Sequence, residues 1–312
     1  MTYSVIKAAM LPDALTRRLE EQFHMVDYSS LPEPERLPAA QQARVLVVNG
    51  ESTVTEAFIA QFPQLELIAD FGVGYDGIDV AAATRRGIAV CNTPDVLTED
   101  VADMAMGLLL ATSRQIVGAQ RFIERGGWRD GGYPWTKKVS GGRLGIIGMG
   151  RIGQAIARRA AAFDMAISYH DYRQLPDSPW PFYTSVVELA AASDFLVVCV
   201  NGGEKTRSLV NAPVLAALGA QGILINIARG TVVDEGDLIE AVERGIIGGA
   251  GLDVFSHEPE VPAALFNRPN VVITPHMASA THDTRRAMSD LVFDNIAAFL
   301  AGKPLLTPVA PY

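Results

Sequence analysis

Cysteine is nearly missing: Cys91 and Cys199 are the only two among 312 residues, and both fall in apolar, strand-like runs. Buried free thiols are therefore expected rather than a disulfide scaffold, and the cytoplasm is the simplest compartment for such a chain. Long hydrophobic runs are missing too. The longest, Ala105 to Thr112, is interrupted by Gly107, well short of the roughly 18 apolar residues of a membrane span. The opening MTYSVIKAAM has no charged leader, apolar core and cleavage site, so no export signal is expected. Positive charge is in deficit, 26 Lys and Arg against 35 Asp and Glu for a net −9, which argues against nucleic acid and anionic membranes as partners. No internal repeat stands out beyond two similar α/β halves, and no metal site is expected.

What is present is a hydrophobic content of 49% with 20% charged residues, enough for one large or two modest globular domains. Strand-like runs at 3–10, 44–50, 65–69 and 88–91 alternate with helical patterns at 13–23, 55–61 and 79–86, and a proline-rich loop is expected at 31–35. Such alternation predicts a small parallel α/β domain. Thr98 is a candidate cap for a buried helix over 99–113. Residues 126–136 read as a loop carrying Trp128 and Trp135, suited to a subunit interface, a substrate lid or plain surface packing. Further strands are expected at 165–170, 194–200, 223–228, 248–254 and 270–274, with helices over 234–244 and 282–300.

The stretch Gly142 to Ala162, GRLGIIGMGRIGQAIARRAAA, is the most informative. An apolar run ends in Gly148-Met149-Gly150-Arg151-Ile152-Gly153, and a segment with helical spacing follows. In that context Gly148 allows a sharp turn, Gly150 lets a phosphate approach bare backbone, and Gly153 lets the helix pack on the strand. The N–H groups and positive dipole end of the helix then face a diphosphate. An acidic residue should close the next strand, and Asp171 does. A carboxylate there accepts from both ribose hydroxyls of NAD and repels the 2′-phosphate of NADP, whereas Arg173 can pair with that phosphate. Asp171 favours NADH; Arg173 leaves NADPH open. A second glycine-rich loop, Phe71-Gly72-Val73-Gly74-Tyr75-Asp76-Gly77, offers backbone N–H groups to an anion at a strand's carboxyl end.

Together with Asn92-Thr93-Pro94-Asp95-Val96-Leu97-Thr98, Ile225-Asn226-Ile227-Ala228-Arg229-Gly230, Gly251-Leu252-Asp253-Val254-Phe255 and Pro275-His276, these motifs resemble the D-isomer-specific 2-hydroxyacid dehydrogenase family over essentially the whole chain. The likeness is greatest to its hydroxypyruvate, glyoxylate and hydroxyphenylpyruvate reductases. The resemblance implies two doubly wound parallel-sheet α/β domains, a Rossmann cofactor domain (99–282) inserted in a smaller flavodoxin-like substrate domain (1–98 with 283–312), an active site in the cleft between them, and a homodimer. Asp171 departs from the small residue or Ser-Arg of many NADPH-using members.

Reducing a 2-keto acid needs a cation for the carboxylate, a proton donor for the carbonyl oxygen and a hydride at the carbonyl carbon. Arg229 at a strand end supplies a planar fork that can hold a carboxylate and polarise the ketone. His276 is the natural acid for reduction, and Glu258, preferred over Glu260, stabilises its imidazolium. Backbone N–H groups of Val73 and Gly74 are expected to share the carboxylate. For the cofactor, the resemblance places Arg151 and Ile152 at the diphosphate, Asp171, Tyr172 and Arg173 at the ribose, Val200 and Asn201 near the adenine side, and Ile227 and Asp253 by the nicotinamide. Asp253 would accept from the carboxamide. Ser279 is a candidate for substrate contact or helix capping. Asn49, Tyr75, Trp135 and Met277 are candidate pocket walls, and His24, His170 and His282 are expected on the surface. Rival readings are a 2-ketogluconate or phosphoglycerate dehydrogenase, and a dinucleotide-sensing binding protein related to corepressors. A chain ending at Tyr312 is not expected to carry the added regulatory domain of many phosphoglycerate dehydrogenases, and the set Arg229, Glu258 and His276 argues against the second rival.

Overall fold

The computed structural model describes residues 5–310, which fall into two compact units. One contains the chain up to Leu97 and again from Ser279; the other is Thr98–Ala278. The second crossing thus falls four residues before the expected position, because Thr281 caps the helix that follows through its side-chain oxygen and so the lead-in belongs to that helix.

The first unit opens β1(Val5–Lys7), α1(Asp13–Phe23), β2(Val26–Asp27), α2(Glu33–Gln42), β3(Val45–Asn49), α3(Glu56–Ile59), β4(Leu67–Phe71), α4(Val80–Arg85) and β5(Ala89–Cys91). Residues 3 and 4 of the strand expected at 3–10 lie outside the described residues. All strands run parallel in the order β2-β1-β3-β4-β5, the flavodoxin-like winding. Central strands read Val45-Leu46-Val47-Val48 and Leu67-Ile68-Ala69 because both faces are covered and no polar alternation is tolerated. Helix α3 starts on Thr55, which accepts from Phe58 N–H, and α4 on Asp79, which accepts from Ala82 N–H at 2.8 Å. The loop expected at 31–35 is instead the start of α2. Pro34 sits in its first turn, where a backbone N–H has no partner within the helix, so proline costs nothing there.

The second unit comprises α5(Thr98–Ser113), α6(Ile116–Glu124), β6(Arg143–Ile147), α7(Arg151–Ala161), β7(Ala166–His170), α8(Val186–Ala191), β8(Phe195–Val198), α9(Ala212–Leu218), β9(Ile223–Asn226), α10(Glu235–Glu243), β10(Gly249–Leu252) and β11(Val271–Ile273). Thr98 is the first residue of α5 rather than a cap before it. The sheet order is β11-β10-β9-β8-β6-β7, all parallel. Beyond β7 a further strand is reduced to a single parallel bridge between Tyr169 and Phe182. It is held by Tyr169 N–H to Pro181 O at 3.0 Å and Tyr183 N–H to Tyr169 O at 2.8 Å. With that remnant the winding is the dinucleotide-binding one, reversing between β6 and β8. One core lies between this sheet and α8, α9 and α10, built on Leu189, Leu196, Leu215, Leu224, Leu238 and Leu252. On the opposite face Gly251 lies close to α5, where a β-carbon would stand 2.8 Å from Thr112 Oγ1.

The chain then returns to the first unit through α11(His282–Leu300), the helix expected at 282–300. Among the described residues no helix is long and apolar enough to cross a membrane.

Candidate active site and dinucleotide cradle

The glycine turn after β6 divides its labour. At Gly148, with φ +98, a β-carbon would lie 2.8 Å from Val200 and 2.9 Å from the Cys199 backbone, so the residue must be glycine for both torsion and space. At Gly153 a β-carbon would stand 2.1 Å from Gly148 O, so only glycine lets α7 seat against the turn. Gly150 is different: nothing lies within 4 Å of its missing side chain, and it begins α7 with no side-chain cap on the first N–H groups. A bare helix N-terminus facing open space at a winding reversal is what an anionic diphosphate requires, so the chain fits a dinucleotide here.

Asp171 follows β7 with its carboxylate engaged: Oδ2 accepts from Met149 N–H at 2.8 Å and Oδ1 from Tyr172 N–H at 2.7 Å. Tyr172 is exposed, and Arg173 stacks over its ring at 5.2 Å. On the other side of the same peptide unit the Cys199 thiol donates to Gly148 O at 3.0 Å. Burial, with the Asp171 charge beside it, pushes that thiol well above its usual range. Arg151 and Ile152 open α7, Val200 and Asn201 follow β8, and Ile227 follows β9, so these candidates gather at the carboxyl ends of neighbouring strands. His170, expected on the surface, is half-buried. Its Nδ1 meets Tyr183 O at 2.9 Å and its ring stacks on Phe182.

Arg229, Glu258 and His276 lie in this same unit. Arg229 follows β9 in a turn fixed by Asn226, which is 1% exposed and bonds Arg229 O and Ala228 N–H. Gly230 is needed next, since a β-carbon would run into the Phe255 carbonyl carbon at 1.9 Å. That contact brings the Arg229 turn against the segment whose Phe255 N–H donates to Glu258 Oε1 at 2.8 Å. The other carboxylate oxygen, Oε2, meets His276 Nδ1 at 2.7 Å. Burial works to raise the Glu258 carboxyl, but the His276 and Phe255 hydrogen bonds and the His276 and Arg229 charges outweigh it and hold the group below its ordinary value. Glu260 and His257 are exposed.

His276 takes a left-handed backbone, φ +49, and Asp253 surrounds it. Asp253 O accepts His276 N–H at 2.8 Å, while its carboxylate accepts from Thr274 Oγ1, Met277 N–H and Ala278 N–H at 2.6–2.9 Å. At 1% exposure this carboxylate holds the turn that carries the imidazole. Asn226 and Thr274 were missed as positioning residues. Asn226 stood inside the Arg229 motif, but its role depends on a side chain folding back on its own turn.

In the first unit the Val73–Gly74 loop is fixed separately. Asn92 Nδ2 donates to Val73 O at 2.9 Å and Thr93 N–H to Gly72 O at 2.8 Å. A β-carbon at Gly72 would lie 3.0 Å from Gly50, so β3 and β4 approach closely below it.

The profile of the D-isomer specific 2-hydroxyacid dehydrogenase NAD binding domain matches residues 106–278. The chain is 46% identical over 297 residues to a hydroxyphenylpyruvate reductase of Plectranthus scutellarioides, covering 95% of each. It is 45% identical over 307 residues to a glyoxylate/hydroxypyruvate reductase A of Arabidopsis thaliana, covering 98% of each. Its fold is similar to that of an NADPH-dependent glyoxylate/hydroxypyruvate reductase of Sinorhizobium meliloti solved with NADP and malonate, with TM-score 0.92 and 42% identity over 100% of this chain and 98% of that one.

Proposed function

Because the chain belongs to the D-isomer specific 2-hydroxyacid dehydrogenase family, we propose that it reduces a small 2-keto acid (glyoxylate, hydroxypyruvate or an aryl or alkyl relative) to the D-2-hydroxy acid, using NADH or NADPH. The observation that carries this reading is the 2.7 Å Glu258–His276 hydrogen bond with the Arg229 charge acting on the same carboxylate. A reduced nicotinamide, when bound, supplies the hydride for the keto carbon. Arg229, with the backbone N–H groups of Val73 and Gly74, holds the substrate carboxylate and polarises the ketone. Glu258 engages Nδ1, so Nε2 of His276 is the atom that gives its proton to the carbonyl oxygen. Asp253 keeps that ring in place. Gly148 to Gly153 cradle the diphosphate, with Arg151 and Ile152 beside it. Asp171 to Arg173 meet the ribose, Val200 and Asn201 the adenine side, and Ile227 and Asp253 the nicotinamide.

NADH is the preferred reductant in this reading, since the Asp171 carboxylate repels a 2′-phosphate, and Arg173 is the group through which NADPH enters. Comparing kcat/KM for the two reductants decides it: a strong NADPH preference gives the role to Arg173. His276→Ala should abolish turnover while leaving dinucleotide binding nearly unchanged; activity within a few-fold of wild type refutes the assignment.

The same reading makes the protein a cytoplasmic homodimer. Two free cysteines support the compartment. For the dimer, α6 buries none of its residues, Ile116 and Ile123 are exposed on it, and Trp128 and Trp135 nearby are 69% and 102% exposed, an apolar surface of the kind a subunit interface covers. A monomeric mass in solution refutes it.

A further inference from the structure

One cation in the first unit has no task yet. Arg285 lies in the first turn of α11, half-buried, with its guanidinium 5.6 Å over the ring of Phe71. Phe71 is the last residue of β4 and pairs with Asn49, the last residue of β3. The guanidinium therefore sits at the carboxyl ends of two adjacent parallel strands, where open α/β sheets bind ligands.

Its neighbours on the helix are satisfied: Arg286 pairs with Asp283, and Asp290 with Arg18. The guanidinium of Arg285, more buried than that of either of those arginines, forms no hydrogen bond or ion pair among the described residues. Burial pulls it below the ordinary arginine value, and the Glu51 carboxylate, the charged group facing it, works the other way from beyond ion-pair distance. Phe71 compensates part of the desolvation through its π face. A planar fork of donors is left at a strand end with no oxygen to meet.

We propose that Arg285 is a specificity-determining residue that receives an oxygen-bearing group attached beyond the keto carbon, a C3 hydroxyl and, more strongly, a second carboxylate. The proposal rests on the 2-keto acid reductase reading, in which the first carboxylate is held at Val73 and Gly74, two and three residues after Phe71. A substrate anchored there extends beside the ring on which the guanidinium is stacked. Glyoxylate has nothing to offer Arg285; hydroxypyruvate has a hydroxyl; oxaloacetate has a carboxylate.

The test is steady-state reduction of these three acids by the full chain and its Arg285→Met and Arg285→Lys variants, with thermal midpoints measured alongside. Losing one charge-assisted hydrogen bond should raise KM for oxaloacetate by about tenfold more than KM for glyoxylate, with hydroxypyruvate between them and kcat changing far less. Arg285→Lys, which keeps the charge without the fork, should recover part of the loss for oxaloacetate and less for hydroxypyruvate. Should Arg285→Met fail to fold, the same ordering in Arg285→Lys carries the comparison. Equal losses for all three acids, or no loss for any, overturn the proposal while leaving the reductase reading intact. A wild-type chain that reduces phenylpyruvate but none of the three overturns the proposal alone, and one that reduces none of the four overturns both.

Discussion

Replacing Glu258 by Gln keeps the side chain's volume and one oxygen for Phe255 N–H, but removes the charge facing the imidazole. The contact at stake is a single hydrogen bond of 2.7 Å between side chains 29% and 23% exposed. A charge-assisted bond of this kind contributes about 1.5–3 kcal/mol. If all of it is expressed as the imidazole is held and charged during proton transfer, kcat/KM falls by roughly 10- to 150-fold. The assay is reduction of glyoxylate at saturating cofactor across neutral pH, for Glu258→Gln, His276→Ala and the double variant. Because Glu258 acts through His276, its substitution should cost almost nothing further once His276 is gone. A Glu258→Gln enzyme within about twofold of wild type, or one paying the same factor with and without His276, refutes the reasoning.

The same carboxylate gives a pH signature. Its folded value lies below the ordinary 4.5, so the stability it contributes is complete above that value and is lost as pH falls through the lowered one. The difference in thermal midpoint between wild type and Glu258→Gln should shrink as pH falls through that lowered value; a difference that persists unchanged on strong acidification contradicts it. Two glycines should separate fold from binding. Gly153→Ala forces a β-carbon to 2.1 Å from Gly148 O and should destabilise the chain, by about 1–3 kcal/mol. Gly150→Ala meets nothing within 4 Å and should fold normally yet bind dinucleotide less tightly in a fluorescence titration. Equal melting losses refute that division. Burial pushes the Cys91 thiol to about 12 and holds Cys199 higher still, so native protein at pH 8 should react slowly with a thiol reagent and denatured protein should release two equivalents at once.

Much of the fold was legible because its signals are local. Buried parallel strands must be apolar on both faces, so runs such as Val45-Leu46-Val47-Val48 declare themselves, and the glycine turn at 148–153 is a short-range steric necessity. Elements on the surface were harder. Helix α2 hid behind its prolines, and α6 buries none of its residues, its apolar side chains Ile116 and Ile123 lying exposed. Order of motifs supplied the candidates Arg229, Glu258 and His276, but the choice of Glu258 over Glu260 depends on which carboxylate a loop turns toward the ring.

By itself, then, the sequence determined two parallel α/β units and a dinucleotide turn, which follow from periodicity and torsional need, and through its family resemblance it named the candidate side chains Arg229, Glu258 and His276. Only the tertiary structure decided the rest: that Asp253 spends its carboxylate on the turn carrying His276, that Asp171 and Cys199 grip opposite ends of one peptide unit in the glycine turn, and that Arg285 rests on Phe71. Those are contacts between residues distant in the chain, set by side-chain direction and burial, and no local pattern encodes them.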